Sequence, residues 1–253
     1  MKSIMSILRE IVINTKAKLE EKKKLVSLDD LKKEINELNL ENPRFKQSLT
    51  EKDEAIIAEI KKASPSAGII AEDFDPIKKA KEYEELGAVA LSILTEEDYF
   101  LGSPKYLKEV RKITQLPILR KDFMIDEYQI YEAKLMGADC ILLIASILND
   151  EEISYFIDLA ENLKLDYLIE VHDKTELDRV KMFENAIIGV NNRNLKTFEV
   201  DIQNSINLKQ EFNGKNIFVS ESGIKNSSDI EMLKSKGINV YLIGESLMRG
   251  KLL

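Results

Sequence analysis

Short apolar stretches rich in β-branched residues recur along the chain from residue 55 onward, and amphipathic stretches separate them. Such alternation predicts buried strands joined by helices. The predicted strands are residues 55–60, 88–94, 117–120, 140–144, 167–171, 186–190, 217–220 and 240–243. The clearest helical stretches are residues 76–86, 127–136, 150–163 and 227–236. Glycine follows three of them, as expected of helix C-caps, at Gly87, Gly137 and Gly237.

The predicted strands are apolar at nearly every position rather than at alternate positions. Strands of this kind are buried on both faces, which is typical of a parallel sheet covered by helices. Eight such strand–helix units in a chain of 253 residues predict an α/β protein with a single (β/α)8 TIM barrel. A doubly wound open sheet is the alternative, but it would usually carry fewer units.

The first 50 residues have a purely helical pattern. Apolar residues recur there at helical spacing, at Ile4, Ile7, Leu8 and Ile11. Ser27 followed by Asp30 predicts the N-cap of a second helix over residues 28–38, and Pro43 ends the pattern. We therefore predict an N-terminal helical extension over residues 1–50 and a barrel domain over residues 51–253. The extension is either a surface appendage or a cover, as a lid or a floor, for a site on the barrel.

Composition narrows the possible functions. The net charge of −8 lacks the basic surplus of a nucleic-acid-binding protein, and no apolar stretch has the roughly 20 residues of a membrane span. Cys140 is the one cysteine, so an intrachain disulfide or a thiolate cluster is excluded. We expect Cys140 to be a small apolar core residue. His172 is the one histidine, which excludes multi-histidine metal sites. With no secretory signal at the N-terminus, we expect a cytoplasmic protein with no nucleic-acid or membrane partner.

Charged residues stand where several predicted strands end. In a (β/α)8 barrel the active site lies at the carboxyl ends of the strands, so these side chains would converge on one volume. They are Glu59, Lys61, Lys121, Glu170 and Glu221. Carboxylates and ammonium groups held close together shift each other's pKa values, which is how acid–base pairs are made. His172, two residues beyond Glu170, is either structural or a general base.

Glycine follows the last two predicted strands, in Ser222-Gly223 and at Gly244. Barrels often bind phosphate on the free backbone N–H groups of these two loops, and glycine lets the phosphate approach the backbone closely. The pattern predicts a phosphate site there, although turns also use glycine.

The strand-end segments resemble, in order, those of the indole-3-glycerol phosphate synthase family. The matching segments are residues 59–66 (EIKKASPS), 94–96 with 100–103, 119–123 (LRKDF) with 128–129, 137–139, 141–144, 170–172 (EVH), 189–195 (GVNNRNL), 220–224 (SESGI) and 242–248 (LIGESLM). The resemblance runs from about Phe45 to the C-terminus, and before it the chain matches only as a helical extension. The departures are Lys134, where arginine is common, and Glu245, where serine or threonine also occurs.

The resemblance implies a reaction and a set of site residues. The substrate would be 1-(2-carboxyphenylamino)-1-deoxyribulose 5-phosphate, converted to indole-3-glycerol phosphate in tryptophan biosynthesis without a metal or an organic cofactor. The implied catalytic residues are Lys121, Glu170, Lys61, Glu59, Asn191 and Glu221. The implied substrate- and phosphate-binding residues are Lys61, Ser64, Ser66, Arg193, Ser222, Gly223, Gly244 and Glu245. The enzyme would be monofunctional, with no obligate protein partner, and the division of the acid role between Lys61 and Lys121 is left open.

Three other functions fit a barrel with these residues. A Schiff-base aldolase would use Lys121 or Lys61 as its nucleophile. A sugar-phosphate isomerase would often use a cysteine or an aspartate at a strand end, whereas Cys140 starts a predicted strand. A phosphate-binding scaffold would bind its ligand without turnover. The fold alone does not separate these functions.

Overall fold

The computed structural model describes residues 4–194 and 197–250, so Leu195 of the seventh matching segment lies outside the described residues. Within them, eight parallel strands close into a barrel in chain order, each paired with its two neighbours. The strands are β1 (Ala55–Ile60), β2 (Ala90–Leu94), β3 (Ile118–Lys121), β4 (Cys140–Ile144), β5 (Asp166–Val171), β6 (Ile187–Asn191), β7 (Phe218–Glu221) and β8 (Val240–Ile243). The predicted (β/α)8 barrel is therefore confirmed.

Helices alternate with the strands and cover the barrel. Three precede β1, namely α1 (Ile4–Leu25), α2 (Leu28–Asn36) and α3 (Phe45–Ser48). The others are α4 (Pro76–Glu85), α5 (Pro104–Arg111), α6 (Glu127–Met136), α7 (Asp150–Asn162), α8 (Lys174–Val180), α9 (Gln203–Glu211), α10 (Ser227–Ser235) and α11 (Glu245–Met248). A short antiparallel pair, Ala63–Ser64 with Gly68–Ile69, lies in the loop after β1. No helix among the described residues is long and apolar enough to cross a membrane.

Local signals in the sequence account for several helix ends. The Ser27 side chain accepts a hydrogen bond from the backbone N–H of Asp30, and the Asp30 side chain accepts one from the backbone N–H of Ser27. This capping box starts α2 where the sequence places it. Gly137 ends α6 in the left-handed conformation, with φ of 88°, which costs glycine little because it has no Cβ.

Three strands extend one residue beyond their predicted ends. They are β3, β6 and β7, which end at Lys121, Asn191 and Glu221. The apolar pattern stops before these polar residues, but the strand pairing continues through them, as in the pairing of Asn191 with Glu221. Their side-chain directions are therefore set by the strands rather than by flexible loops. Conversely, β2 begins at Ala90 rather than at residue 88.

The apolar core has two layers. Side chains inside the barrel, including Ile57, Leu142 and Leu168, form one buried cluster, and the helix-facing side chains form a larger one around the barrel. Phe45 and Leu49 join the inner cluster at the end where the strands begin. Burial on both sides of each strand explains why the strands read as continuous apolar runs.

Candidate active site

A cavity of about 610 Å³ opens at the carboxyl ends of the strands. Every residue expected from the sequence to form the site lines it. These residues are Glu59, Lys61, Ser64, Ser66, Lys121, Glu170, Asn191, Arg193, Glu221, Ser222, Gly223, Gly244 and Glu245. The barrel thus brings together side chains that lie as far apart in the sequence as Glu59 and Glu245.

One ionisable residue from each odd-numbered strand lies at this mouth. Glu59 is on β1, Lys121 on β3, Glu170 on β5 and Glu221 on β7. In these barrels a layer of inward-pointing side chains comes from alternate strands, so the four residues form one layer. The three glutamates are more than nine-tenths buried, and the side chain of Lys121 is 12% exposed.

Lys121 lies between two carboxylates. Its Nζ is 3.0 Å from Oε2 of Glu170 and 2.5 Å from Oε2 of Glu221. The second carboxylate–lysine pair of the site is Glu59 with Lys61, which point the same way because they are two residues apart. A Cβ at Gly244 would overlap the Glu59 carboxylate, so this glycine leaves the space that Glu59 occupies.

The carboxylates of this layer differ in their pKa values. Burial alone would raise the pKa of Glu170, but the charges of Lys121 and His172 and the hydrogen bonds from Lys121 and Asn191 lower it to about 2. Burial raises the pKa of Glu221 to about 7; the charges of Glu170 and Glu59 add to this rise, whereas Lys121 opposes it. Two carboxylates that share one ammonium group separate in this way, because the second is not fully neutralised.

Lys121 itself is a stabilised cation. Burial alone would lower its pKa, but the charges of Glu221, Glu170 and Glu59 raise it well above the usual range of lysine. The ammonium group therefore stays protonated in the free enzyme and can donate a proton only where a strongly basic oxygen forms beside it.

The loops after β6, β7 and β8 form the other wall of the cavity. Ser222 and Gly223 are both left-handed, with φ of 67° and 84°. The side-chain amide of Asn192 donates to the carbonyl oxygen of Ser222 at 3.0 Å and holds this turn. The carboxylate of Glu245 pairs with Arg249 at 3.0 Å. Because a carboxylate repels an anion, only the backbone N–H of Glu245 is suited to bind one.

Apolar residues that the sequence did not assign to the site also line the cavity. Phe100 and Phe123 lie with ring centroids 6.0 Å apart, and Leu142, Ile144 and Leu242 are further lining residues. An aromatic wall suits an aromatic ligand. The signal for Phe100 and Phe123 was present in the sequence, because both follow strand ends.

The N-terminal helix α1 covers part of this mouth. Its residues Ile7, Leu8 and Ile11 line the cavity, and Ile11 is buried. Ion pairs hold the helix to the barrel, with Lys18 2.7 Å from Asp98 and Lys23 2.6 Å from Asp126. The structure therefore favours the interpretation of the N-terminal extension as a cover for the site over that of a surface appendage.

We expect Ile11→Ala to lower both the melting temperature and the affinity for substrate. The change removes buried apolar contacts, which typically costs about 2–5 kcal/mol at a fully packed position, and loosens α1 at the cavity. Ile13→Ala is the matched control, because Ile13 lies on the same helix and is 60% exposed. Calorimetry and the Michaelis constants of both variants test this. Equal behaviour of the two variants would contradict a covering role for α1.

Two other residues, Arg120 and Cys140, have structural roles and do not line the cavity. Arg120, on the outer side of β3, is 1% exposed and pairs with Asp122 at 3.0 Å and Glu132 at 3.2 Å. Cys140 is fully buried, and burial raises the pKa of its thiol well above the usual value. Among residues 4–194 and 197–250, no group of three or more His, Cys, Asp or Glu is arranged to hold a metal ion.

Comparisons of sequence agree with this geometry. The family model for indole-3-glycerol phosphate synthase matches residues 8–252. The indole-3-glycerol phosphate synthase of Ruminiclostridium cellulolyticum is 48% identical over 244 residues, which are 96% of this chain and 94% of that protein. The enzyme of the same name from Clostridium acetobutylicum is 48% identical, over 96% of this chain and 92% of that protein.

Solved structures with distant sequences share the fold. One is the N-acetylmannosamine-6-phosphate 2-epimerase of Clostridium perfringens, with a TM-score of 0.59 and 12% identity over 78% of this chain and 88% of that chain. Another comes from the tryptophan synthase α2β2 complex of Pyrococcus furiosus, with a TM-score of 0.57 and 15% identity over the same shares of the two chains. At this identity they show the barrel alone. The family is shown instead by the family model and by relatives that are nearly half identical over nearly the whole length. This chain belongs to the indole-3-glycerol phosphate synthase family, a family of carboxy-lyases.

Proposed function

We propose that, in the reaction of this family, Lys121 is the general acid of ring closure and Glu170 is the base of dehydration. The substrate is 1-(2-carboxyphenylamino)-1-deoxyribulose 5-phosphate. Ring closure joins the aryl carbon to the ketone carbon, and loss of carbon dioxide and then water gives the indole product. The observation that carries the proposal is the position of the Lys121 ammonium group, 3.0 Å from Glu170 and 2.5 Å from Glu221 at the cavity.

Ring closure places negative charge on the former ketone oxygen. Lys121 has a raised pKa because the charges of Glu221 and Glu170 outweigh the effect of burial. It therefore acts first as an electrostatic partner of the developing oxyanion, and it transfers its proton once that oxygen becomes strongly basic. The same raised pKa disfavours the aldolase alternative, in which the lysine must be an uncharged nucleophile.

Proton transfer from Lys121 would then activate Glu170. While Lys121 is charged, its field, together with His172 and the hydrogen bonds to Glu170, holds the pKa of Glu170 at about 2, against the effect of burial. When the ammonium group becomes a neutral amine, this opposing charge is lost, and burial raises the pKa of Glu170. Glu170 thus becomes a stronger base after ring closure, when dehydration requires one.

The remaining charged and polar groups orient the substrate. Lys61 binds the carboxylate that leaves as carbon dioxide, and Glu59 holds Lys61 in place through their ion pair. Asn191 donates to Oε1 of Glu170 at 3.2 Å, and Glu221 positions Lys121. The proposal therefore gives Lys61 and Lys121 separate roles, with Lys121 alone as the acid of ring closure.

The phosphate group would lie against the loops after β7 and β8. Ser222, Gly223, Gly244 and the backbone N–H of Glu245 provide the donors, and Arg193, Ser64 and Ser66 complete the wall. Backbone N–H groups that face a cavity bind phosphate without a large net positive charge, which suits a chain with a net charge of −8.

We expect Gly223→Ala to raise the Michaelis constant by about tenfold or more, by distorting the loop that would hold the phosphate. A Cβ at this position would overlap the Val200 side chain, and the φ of 84° strains any residue other than glycine. Gly237→Ala is the matched control, because Gly237 has φ of 75° but open space around it. Inorganic phosphate should inhibit the parent protein competitively. A parental Michaelis constant in folded Gly223→Ala would place the phosphate elsewhere.

A fluorescence assay tests the whole reaction. The chain contains no tryptophan, so the indole emission of the product stands out against the protein. We expect turnover of the carboxyphenylamino substrate in the presence of a chelator. Borohydride added during turnover should leave the protein unmodified, whereas a Schiff-base enzyme would form a stable adduct. Absence of indole emission with folded protein would contradict the proposal.

The setting of the reaction is also a proposal. A cytoplasmic location suits a chain whose one cysteine is a buried thiol. The substrate is a small phosphorylated molecule that the cavity can enclose, and activity without an added protein partner is expected of the purified chain.

A further inference from the structure

His172 lies between two carboxylates at the cavity, and the reaction described above gives it no role beyond its effect on the pKa of Glu170. Its side chain is 10% exposed, and the residue lines the cavity. Nδ1 lies 3.1 Å from Oε2 of Glu176, on α8, and Nε2 lies 3.4 Å from Oε1 of Glu170, on β5. Nε2 is buried and has no hydrogen-bond partner among the residues that the structure describes.

The contact with Glu176 fixes the proton on one ring nitrogen. Oε2 of Glu176 accepts the backbone N–H of His172 at 2.8 Å and also lies 3.1 Å from Nδ1 of the ring. Nδ1 must then carry a proton, because a lone pair there would face a carboxylate oxygen. The protonation state of His172 is therefore decided at Nε2 alone, where the ring faces Glu170.

A neutral ring would place two lone pairs against each other. With its proton on Nδ1, a neutral imidazole presents the Nε2 lone pair to Oε1 of the ionised Glu170, which repels it. An imidazolium ring presents N–H instead and attracts Glu170. Since a carboxylate faces each ring nitrogen, the charged form is the one that satisfies both contacts.

We propose that His172 is a positioning residue that, as an imidazolium, holds Glu170 ionised and aimed into the cavity. The inference rests on the proposed role of Glu170 as the base. Asn191 and Lys121 donate hydrogen bonds to Glu170, at 3.2 Å and 3.0 Å, and an imidazolium at His172 adds a third favourable contact, with Nε2 3.4 Å from Oε1. Loss of its proton would replace an attraction by a repulsion at Oε1, so Glu170 would be displaced.

The charges around His172 support the charged form. Burial alone would lower the pKa of His172, but the hydrogen bond to Glu176 and the charges of Glu170, Glu176 and Glu221 raise it above the usual value. From α9, Asn204 contributes only an uncharged amide, which donates to the carbonyl oxygen of His172. Lys121 is a cation on the far side of Glu170 from His172, with its Nζ 3.0 Å from Oε2 of Glu170. A raised pKa means that imidazolium stabilises the fold below pH 6.5 and that this stabilisation is lost as the pH rises through the folded-state pKa.

The single histidine makes the test direct. Nitrogen-15 spectra of the ring need no assignment, because only His172 contributes. We expect a doubly protonated ring in the parent protein at pH 6.5, and a midpoint that moves to lower pH in Glu176→Gln and in Glu170→Gln. A neutral ring at pH 6.5, or an unchanged midpoint in both variants, would overturn the proposal. These spectra do not depend on turnover, so they decide the state of His172 even if the proposed reaction fails.

Kinetics test the link to Glu170. We expect kcat of the parent to fall on the alkaline side as His172 loses its proton, and this fall to move to lower pH in Glu176→Gln. Glu221 also contributes to the pH profile, because burial raises its pKa to about 7. The charges that act on Glu221 are those of Lys121, Glu170 and Glu59, so Glu176→Gln separates it from His172. His172→Gln keeps a donor that does not titrate; it should lower kcat by about tenfold through a less well held base and abolish the His172 part of the pH dependence. The same alkaline fall in all three enzymes would show that His172 is only structural.

Discussion

We expect Lys121→Ala to lower kcat by about 10²–10⁴-fold, the usual contribution of a general acid, with a smaller change in the Michaelis constant. The reason is that the ammonium group acts where charge develops, on the ketone oxygen during ring closure, rather than on the bound substrate. A group used mainly in the transition state affects turnover more than binding. Steady-state kinetics with the indole emission of the product provide the measurement.

The control for Lys121→Ala is Lys62→Ala. Lys62 follows the same cluster of strand-end charges but does not line the cavity, so its removal should leave kcat close to that of the parent. Circular dichroism must confirm that Lys121→Ala is folded, because the change leaves Glu170 and Glu221 buried without their shared cation, and such carboxylates destabilise a fold unless they take up protons. Near-parental turnover in folded Lys121→Ala would move the acid role to Lys61.

Glu170→Gln is expected to lower kcat by about 10²–10⁴-fold as well, because an amide cannot accept the proton that dehydration releases. The product should lag behind carbon dioxide release, since ring closure and decarboxylation precede the blocked step. Glu161→Gln is the matched control: Glu161 accepts a hydrogen bond from Tyr167 at 2.8 Å, away from the cavity, and glutamine keeps that acceptor. Equal kcat in the two glutamine variants would remove Glu170 from the mechanism.

The same variant has a signature in acid. The pKa of Glu170 is lowered to about 2, because the charges of Lys121 and His172 and two hydrogen bonds outweigh burial. A carboxylate with a lowered pKa stabilises the folded protein above the unfolded-state pKa of about 4.3, and this stabilisation is lost as the pH falls through the folded-state pKa. The free energy of unfolding, measured by chemical denaturation, should therefore fall more steeply in the parent than in Glu170→Gln as the pH decreases from about 4.3 toward 2.

Much of the candidate site could be predicted because barrel topology converts sequence position into space. Once eight strands are recognised, residues that end them must share one mouth, and Glu59, Lys121, Glu170 and Glu221 follow from that rule. The strand limits were less accurate at β3, β6 and β7. Polar side chains interrupt the apolar pattern there, yet the backbone pairing continues. The pattern of side-chain hydrophobicity therefore does not predict where the backbone pairing ends.

By itself the sequence determined what depends on local chemistry and on the apolar pattern. The strands are apolar on both faces because both faces are buried, and the capping box of Ser27 and Asp30 starts α2 because its hydrogen bonds are local. Only the tertiary structure decided which groups meet. The stripe of Ile7, Leu8 and Ile11 required burial but did not specify the barrel mouth as its partner. Likewise Lys121 pairs with Glu170 and Glu221, and Glu221 has a raised pKa where that of Glu170 is lowered. These properties arise from distances between strands and from exclusion of water, which exist only once the barrel has closed.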